Sequence, residues 1–272
     1  MYCRSWAVSD VGMKRDHNED SYMADDCMGL FVVADGMGGH LAGETASATA
    51  VEVVEQEIRS FFNSSGVEDK CGGTRMMFAA SNDSVEKMLK RAMQMASSEV
   101  LEKSLENFDL KGMGTTCSLL FFHGGKVWFA HVGDSRIYRV SSDSVMRITT
   151  DHSLVQEQLD AGLISREDAE TSTLKNIITR SIGFEADVEV DCKQIEWKNG
   201  DAFVLCSDGL TNFVTEREIR EIVIHKDEET ALNFLVRLAN QRGGDDNITV
   251  IIVRVFDGER PTEEASQKQQ EE

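Results

Sequence analysis

Short runs of apolar and β-branched residues punctuate the chain at Trp6 to Val8, Leu30 to Ala34, Thr116 to Phe122, Val127 to Val132, Ile137 to Val140, Ala202 to Cys206 and Ile248 to Phe256. Runs of this length, bounded by glycine and small polar residues, predict strands. His123-Gly-Gly-Lys126 separates two of them, and its paired glycines allow the positive φ angles of a tight hairpin. Two longer stretches carry the helical period instead. From about Ala42 to Phe62, Ala46, Ala50, Val53, Val54 and Ile58 share one face; from about Asp83 to Leu105, Val85, Met88, Leu89, Ala92 and Ala96 do the same. Further helices are predicted after Thr215 through Ile224 and from Thr230 through Gln241, the second closed by Gly243-Gly244.

Connections within Thr116 to Ile148 are too short for parallel crossovers, so this part of the sheet is expected to be antiparallel. Helices come in pairs before and after these strands. Two antiparallel sheets packed face to face, with helices on the outsides, would bury every one of these amphipathic faces. The expectation is one α+β domain over residues 1–256.

Hydrophobic residues make up 41% of the chain, enough for a core without disulfides or a structural metal. The formal net charge of −20 bears more directly on function. It disfavours nucleic acid and anionic membranes as partners and suits cations and basic or neutral ones. Six cysteines form no CxxC pair, and several sit inside apolar runs, a pattern that fits a reducing cytosol and argues against a zinc site. No basic segment followed by an apolar one opens the chain, and no apolar run approaches the ~20 residues that span a bilayer. A cytoplasmic protein is expected from these features; a monomer is expected as well. Residues 257–272 turn to Glu, Gln, Lys and Ser without apolar periodicity and read as a disordered acidic tail.

Four aspartates sit where an apolar run meets a loop: Asp35 after Leu30-Phe-Val-Val-Ala, Asp134 after Phe129-Ala-His-Val-Gly, Asp208 after Phe203-Val-Leu-Cys-Ser, and Asp246 just before Ile248. One such aspartate is ordinarily a turn residue. In antiparallel sheets, however, the end of one strand lies beside the start of its neighbour, so Asp35, Asp208 and Asp246 could converge at one edge. Converging carboxylates repel unless they are protonated or bridged by cations. Oxygen-only ligands favour hard ions such as Mg²⁺ or Mn²⁺. Nearby in sequence, Arg15 in Arg15-Asp-His-Asn-Glu19-Asp20 offers a planar, permanently charged fork suited to phosphate oxygens, although an arginine beside acids is also a common surface ion pair.

Arg15-x-x-Asn-Glu19-Asp20, Asp35-Gly36-Met37-Gly38-Gly39-His40, Gly114-Thr-Thr116, Gly133-Asp134-Ser-Arg136, Asp208-Gly209 and Gly244-Asp-Asp246-Asn247 follow one another in this order. Together they resemble the PPM, or protein phosphatase 2C, family in its compact bacterial form. The resemblance implies a four-layer αββα sandwich and a protein-serine/threonine phosphatase with two Mn²⁺ or Mg²⁺ ions at one edge. It implies that Asp35 bridges the ions, that the Gly36 carbonyl helps hold one, and that Asp208 and Asp246 hold the other. It further implies that Glu19, through water, and Asp20, in the outer shell, act around the centre, and that Arg15 grips the substrate phosphate. A bridging water would attack phosphorus directly and in line. Asp134 corresponds to a ligand of a third, weaker ion.

The chain departs from the family pattern twice. Asn212 stands where some members carry an aspartate, which lowers the charge available to the third ion. Met37 stands where animal-type members place a histidine proposed to protonate the leaving alkoxide; His40 is a candidate replacement, or else a residue packed against the adjacent helix. His123 and His131 fall in strand patterns and are expected to be structural, whereas His152 is open to either role. Residues 149–187, with short helical patterns at Ser153 to Ala161 and Ser165 to Ser172, resemble the family's flap, where substrate selection is expected. The implied partners are phosphorylated proteins, substrates of a bacterial Ser/Thr kinase. Two other readings remain open: a catalytically impaired binding or scaffold protein, and a phosphatase dedicated to one regulatory phosphoprotein.

Overall fold

The computed structural model describes residues 1–39, 41–64 and 81–258. His40, and the expected tail beyond Gly258, lie outside the described residues. Two antiparallel sheets form the centre. The first runs β1 (Tyr2–Asp10), β11 (Ile248–Phe256), β10 (Ala202–Cys206), β7 (Arg136–Val140) and β8 (Val145–Arg147) from edge to edge. The second runs β2 (Asp20–Asp25), β3 (Leu30–Met37), β5 (Cys117–His123), β6 (Lys126–Val132) and β9 (Asp191–Ile195), with the two-residue β4 (Gly114–Thr115) added on the end of β3.

The alternation of side chains along a strand explains the layers. On β3, Leu30 and Val32 face helices α1 (Leu41–Ser64) and α2 (Asn82–Glu106), while Phe31 and Val33 face the other sheet. On β10, Val204 and Cys206 face helices α6 (Glu216–His225) and α7 (Glu228–Arg242), while Phe203 and Leu205 point inward. Phe122 meets Phe203 edge to face across the sheets at 6.0 Å between ring centres. The order is therefore helix pair, sheet, sheet, helix pair, the four-layer arrangement expected. Cys117 and Cys206 are wholly buried thiols, pushed up to about 12 by burial, and behave as small hydrophobes.

Helix α1 forms because Ala46, Ala50, Val54 and Ile58 recur every four residues and all are fully buried. Helix α2 starts on Ser81, whose side chain accepts from the Ser84 N–H. Helix α6 opens with a reciprocal Thr215–Glu218 capping box. Helix α7 begins two residues earlier than Thr230, because Asp227 rather than Thr230 is its cap and accepts from the Thr230 N–H. Thr116 to Ile148 does not stay in one sheet: the chain changes sheets between β6 and β7. That switch takes only Gly133, Asp134 and Ser135. Gly133 makes it possible with φ of +113°, where a side chain would be strained and would collide with Thr116.

Strands β2, β8 and β9 were not expected from the apolar runs. All three are edge strands whose burial is mixed, so their sequences need not be apolar. Among the described residues, no helix is long and apolar enough to cross a membrane.

Candidate metal centre

The strand ends deliver the aspartates to one place. Asp35 lies near the end of β3 and pairs in register with Asp20, the first residue of β2. Asp208 follows β10 and opens the four-residue α5 (Asp208–Thr211); Asp246 precedes β11, the antiparallel neighbour of β10. Asp134 stands in the sheet-changing turn. A cleft of about 330 Å³ is lined by Asp35, Asp134, Asp208 and Asp246 together with Arg15 and Glu19. Gly36 and Met37 form part of its wall, and Asn176 and Ile178 line it from the 149–187 segment. Asp20 does not line the cleft. It is buried just behind, where Ser207 Oγ donates to its Oδ2 at 2.8 Å.

The backbone around these groups is held by short polar contacts. The Asp35 N–H donates to Thr116 Oγ1 and the Asp35 carbonyl accepts from Thr115 Oγ1, both at 2.9 Å, so Thr115 and Thr116 hold the Asp35 backbone in place. The Glu19 carbonyl accepts from the Gly36 N–H at 3.2 Å and from Ser47 Oγ at 2.6 Å. Helix α1 can approach this closely because positions 36 and 43 are glycines: a Cβ on Gly43 would collide with the Glu19 carboxylate, and one on Gly36 with the Gly43 carbonyl.

Burial is the leading reason that the carboxylates resist ionising. It pushes Asp20 up to about 7 against the pull of Thr249 and Ser207, with the charges of Asp208 and Asp246 adding to the rise. Asp134 is pushed to about 8 by burial, then by Asp208 and Asp151. Asp35 stands well above the ordinary carboxylate range through burial, then the charges of Asp20 and Asp208. Asp208 is raised by burial and by Asp246, although Asn212 Nδ2 donates to its Oδ2 at 3.0 Å and Asp35 lies within hydrogen-bonding reach. Arg15 Nη2 donates to Asp246 Oδ2 at 2.7 Å. Burial disfavours the guanidinium charge, but Asp246 outweighs it and holds Arg15 above its usual value.

These residues suit hard cations. Asp20 Oδ1 and Asp208 Oδ1 are buried with no hydrogen-bond partner among the described residues, which is costly for an oxygen unless a cation meets it. All the donors are oxygens, the set that Mg²⁺ and Mn²⁺ prefer. Among the described residues no three such groups already form a closed ligand cluster; Asp246 is turned to Arg15 and Asp208 to Asn212.

His131 and His152 are each fixed by hydrogen bonds. His131 is buried between Ser118 Oγ at 2.8 Å and the Thr150 carbonyl at 3.1 Å, and burial pushes it down to about 3. His152 accepts from the Gly133 N–H through Nδ1 at 3.0 Å, while its own N–H donates to the Gly133 carbonyl at 2.8 Å. It therefore clips the start of the 149–187 segment to the turn carrying Asp134. That segment contributes α3 (Leu154–Asp160) and α4 (Arg166–Thr171) and is tied back by the Thr115–Ile182 bridge. Asn176 was not legible in the sequence: a single amide in a polar stretch carries no signal.

A model of the protein phosphatase 2C family matches residues 14–242. The serine/threonine phosphatase stp of Listeria innocua is 39% identical over 250 residues, covering 90% of this chain and 93% of that protein. The crystal structure of the Mycobacterium tuberculosis serine/threonine phosphatase PstP/Ppp superposes with a TM-score of 0.81 at 31% identity, over 94% of this chain and 100% of that one. The PstP catalytic domain in complex with two manganese ions superposes with a TM-score of 0.76 at 32% identity, over 94% of this chain and 99% of that one. The ordered motifs, the sandwich and these likenesses agree: the chain belongs to the protein phosphatase 2C family.

Proposed function

We propose that this protein-serine/threonine phosphatase hydrolyses phosphoserine and phosphothreonine in proteins directly at the carboxylate cleft, with two Mn²⁺ or Mg²⁺ ions. The observation that carries the reading is the gathering of Asp35, Asp134, Asp208 and Asp246 from both sheets into one cleft with Arg15 on its rim. Asp35, Asp208 and Asp246, with the Gly36 carbonyl, would hold the two ions; Glu19 and Asp20 would act around them, and Asp134 would reach a weaker third. When bound, such ions supply a nucleophile at neutral pH by lowering the pKa of water, and they neutralise phosphoryl oxygens.

The remaining work belongs to the chain. Arg15 is half exposed at the mouth, where its fork can bind two phosphate oxygens and orient the phosphorus over the carboxylates. Met37 lines the cleft but has no proton to give, so leaving-group protonation falls to solvent or to His40. Asn176 and Ile178 narrow the entrance on the side of the flap. An impaired scaffold is disfavoured because Arg15, Asp35, Asp208 and Asp246 all reach the same cleft. The net charge of −20 argues against nucleic acid, and the substrates would be phosphoproteins made by a Ser/Thr kinase in a bacterial cytoplasm, met by a monomeric enzyme.

Turnover of a phosphothreonine peptide with Mn²⁺, wild type against Asp35→Asn and Arg15→Ala, tests this assignment. Asp35→Asn should lose both ions and at least about 10³-fold in turnover, because cation stabilisation of this kind amounts to several kcal/mol. Arg15→Ala should keep its metal stoichiometry and lose about 10- to 150-fold in kcat/KM, the equivalent of a charge-assisted contact of roughly 1.5–3 kcal/mol. Undiminished turnover in excess chelator, or metal loss in Arg15→Ala, would sink it.

A further inference from the structure

Neither the carboxylate chemistry nor the phosphate grip gives a task to the last residue of Gly244-Asp-Asp246-Asn247. Asn247 is 4% exposed, and its side-chain amide is fully used. Nδ2 donates to the Val11 carbonyl and to the His17 carbonyl, each at 2.9 Å, and Oδ1 accepts from the Glu19 N–H at 2.7 Å. Two carbonyls and one N–H as partners dictate which way the amide points. The Asn247 backbone N–H donates to Asp246 Oδ1 at 2.9 Å, so the residue is also bound to the carboxylate beside it.

The two carbonyls that share this one NH₂ group lie on either side of Arg15 in sequence. A single amide thus closes the 11–17 loop at both ends, and the Met13 N–H adds a third tie by donating to the Gly244 carbonyl at 2.8 Å. Without the amide, Arg15 would keep its hydrogen bond to Asp246, which is half solvated and of little energetic weight. Two part-buried carbonyls and the buried Glu19 N–H would be left to find other partners, and the loop would relax to let them.

We propose that Asn247 is a positioning residue for Arg15: it sets where the guanidinium stands relative to Asp246 and Glu19, and so aligns the phosphate grip with the carboxylates. The inference rests on Arg15 being that grip. A side chain that merely stabilised the fold would have a different signature, because its loss would lower the amount of active enzyme whether or not Arg15 is present.

A double-mutant cycle on the manganese-loaded full chain separates the two, with a phosphothreonine peptide as substrate and inorganic phosphate as competing ligand. Asn247→Ala should lower kcat/KM by about 10- to 100-fold, the usual range for a residue that orients a group in a metallic active site, with the change carried mainly by KM. The inhibition constant of phosphate should rise with it, and metal stoichiometry should hold. In an Arg15→Ala background the same substitution should cost less than about 3-fold, because the group it positions is gone. Asn247→Asp, which keeps the shape and the acceptor for Glu19 but turns an oxygen toward the two carbonyls, should repeat the pattern and serves if the alanine variant does not fold. Losses that multiply across the two sites, or an unchanged phosphate constant, would overturn the positioning role while leaving the clamp intact. An Arg15→Ala enzyme as efficient as wild type would overturn both.

Discussion

Between the two sheets, Phe31, Phe122, Phe203, Leu205, Ile251 and Val253 pack as an apolar layer. A few residues further along some of the same strands, Asp35 and Asp208 stand half-buried within reach of one another, with the buried Asp20 and Asp134 close by. The backbone continues the same ladders through both regions, yet one lowers the free energy of the fold and the other raises it. Each large side chain in the layer contributes roughly 1.5–3 kcal/mol by leaving water. Each buried carboxylate costs free energy unless it takes up a proton or a cation. The dry layer therefore supplies the stability that lets the cleft hold charges in an unfavourable arrangement, where binding cations can relieve them.

The layer is broken most directly at Phe203, which has no exposure and meets Phe122 across the sheets. Phe203→Ala should lose about 3–5 kcal/mol in urea unfolding, by a similar amount at pH 6.5 and at pH 8.5. A loss under about 1 kcal/mol would mean that the layer can repack around the gap.

The cleft responds to pH instead. Asp20 and Asp134, raised to about 7 and about 8, hold protons in the folded chain that the unfolded chain has already released. The folded state then binds more protons than the unfolded state, so stability falls as pH rises through those values. His131 and His152 are lowered by burial and act in the opposite direction, but only below about pH 6.5, where histidines in the unfolded chain take up protons. Between about pH 6.5 and 8.5 the melting temperature of the chelator-treated protein should therefore drop by several degrees, and saturating Mn²⁺ should flatten the slope. A melting temperature that rises over this window without cations would contradict the electrostatic account.

Removing one of these charges should have a smaller effect of the opposite sign. In chelator at pH 8, Asp208→Asn should raise stability by on the order of 1 kcal/mol while turnover with manganese collapses, the trade expected when a functional site is held against its own stability. A destabilised, metal-free Asp208→Asn protein would show that the contact with Asn212 matters more than charge relief.

The two regions also differ in how openly the sequence displays them. Central strands β3, β5, β6, β10 and β11 were legible because both faces are covered, which demands an unbroken apolar run. Helices α1 and α2 were legible to within two residues through their four-residue period. Edge strands β2, β8 and β9 were not, since a strand with one wet face and one unpaired edge tolerates almost any composition. In the cleft, Asp35, Asp134, Asp208 and Asp246 announced themselves as acids placed at the ends of apolar runs. Asn176, Ser207 and Asn247 did not declare what they touch, because a hydrogen-bonding side chain has no periodicity and its partners lie far along the chain: Ser207 meets Asp20, and Asn247 meets Val11.

What the sequence determined by itself was local and periodic: which segments are strands or helices, which faces must be buried, and which acids stand at strand ends. Those features follow from side-chain spacing and from transfer out of water, both properties of short stretches of chain. Tertiary structure alone decided that the chain would change sheets at Gly133 and that Asp20 would sit beside Asp35. It also decided that Arg15 and Asp246, separated by most of the chain, would meet at 2.7 Å. These outcomes depend on which strand pairs with which, a choice made collectively by all the buried faces, and only that choice gathers scattered carboxylates into one cleft.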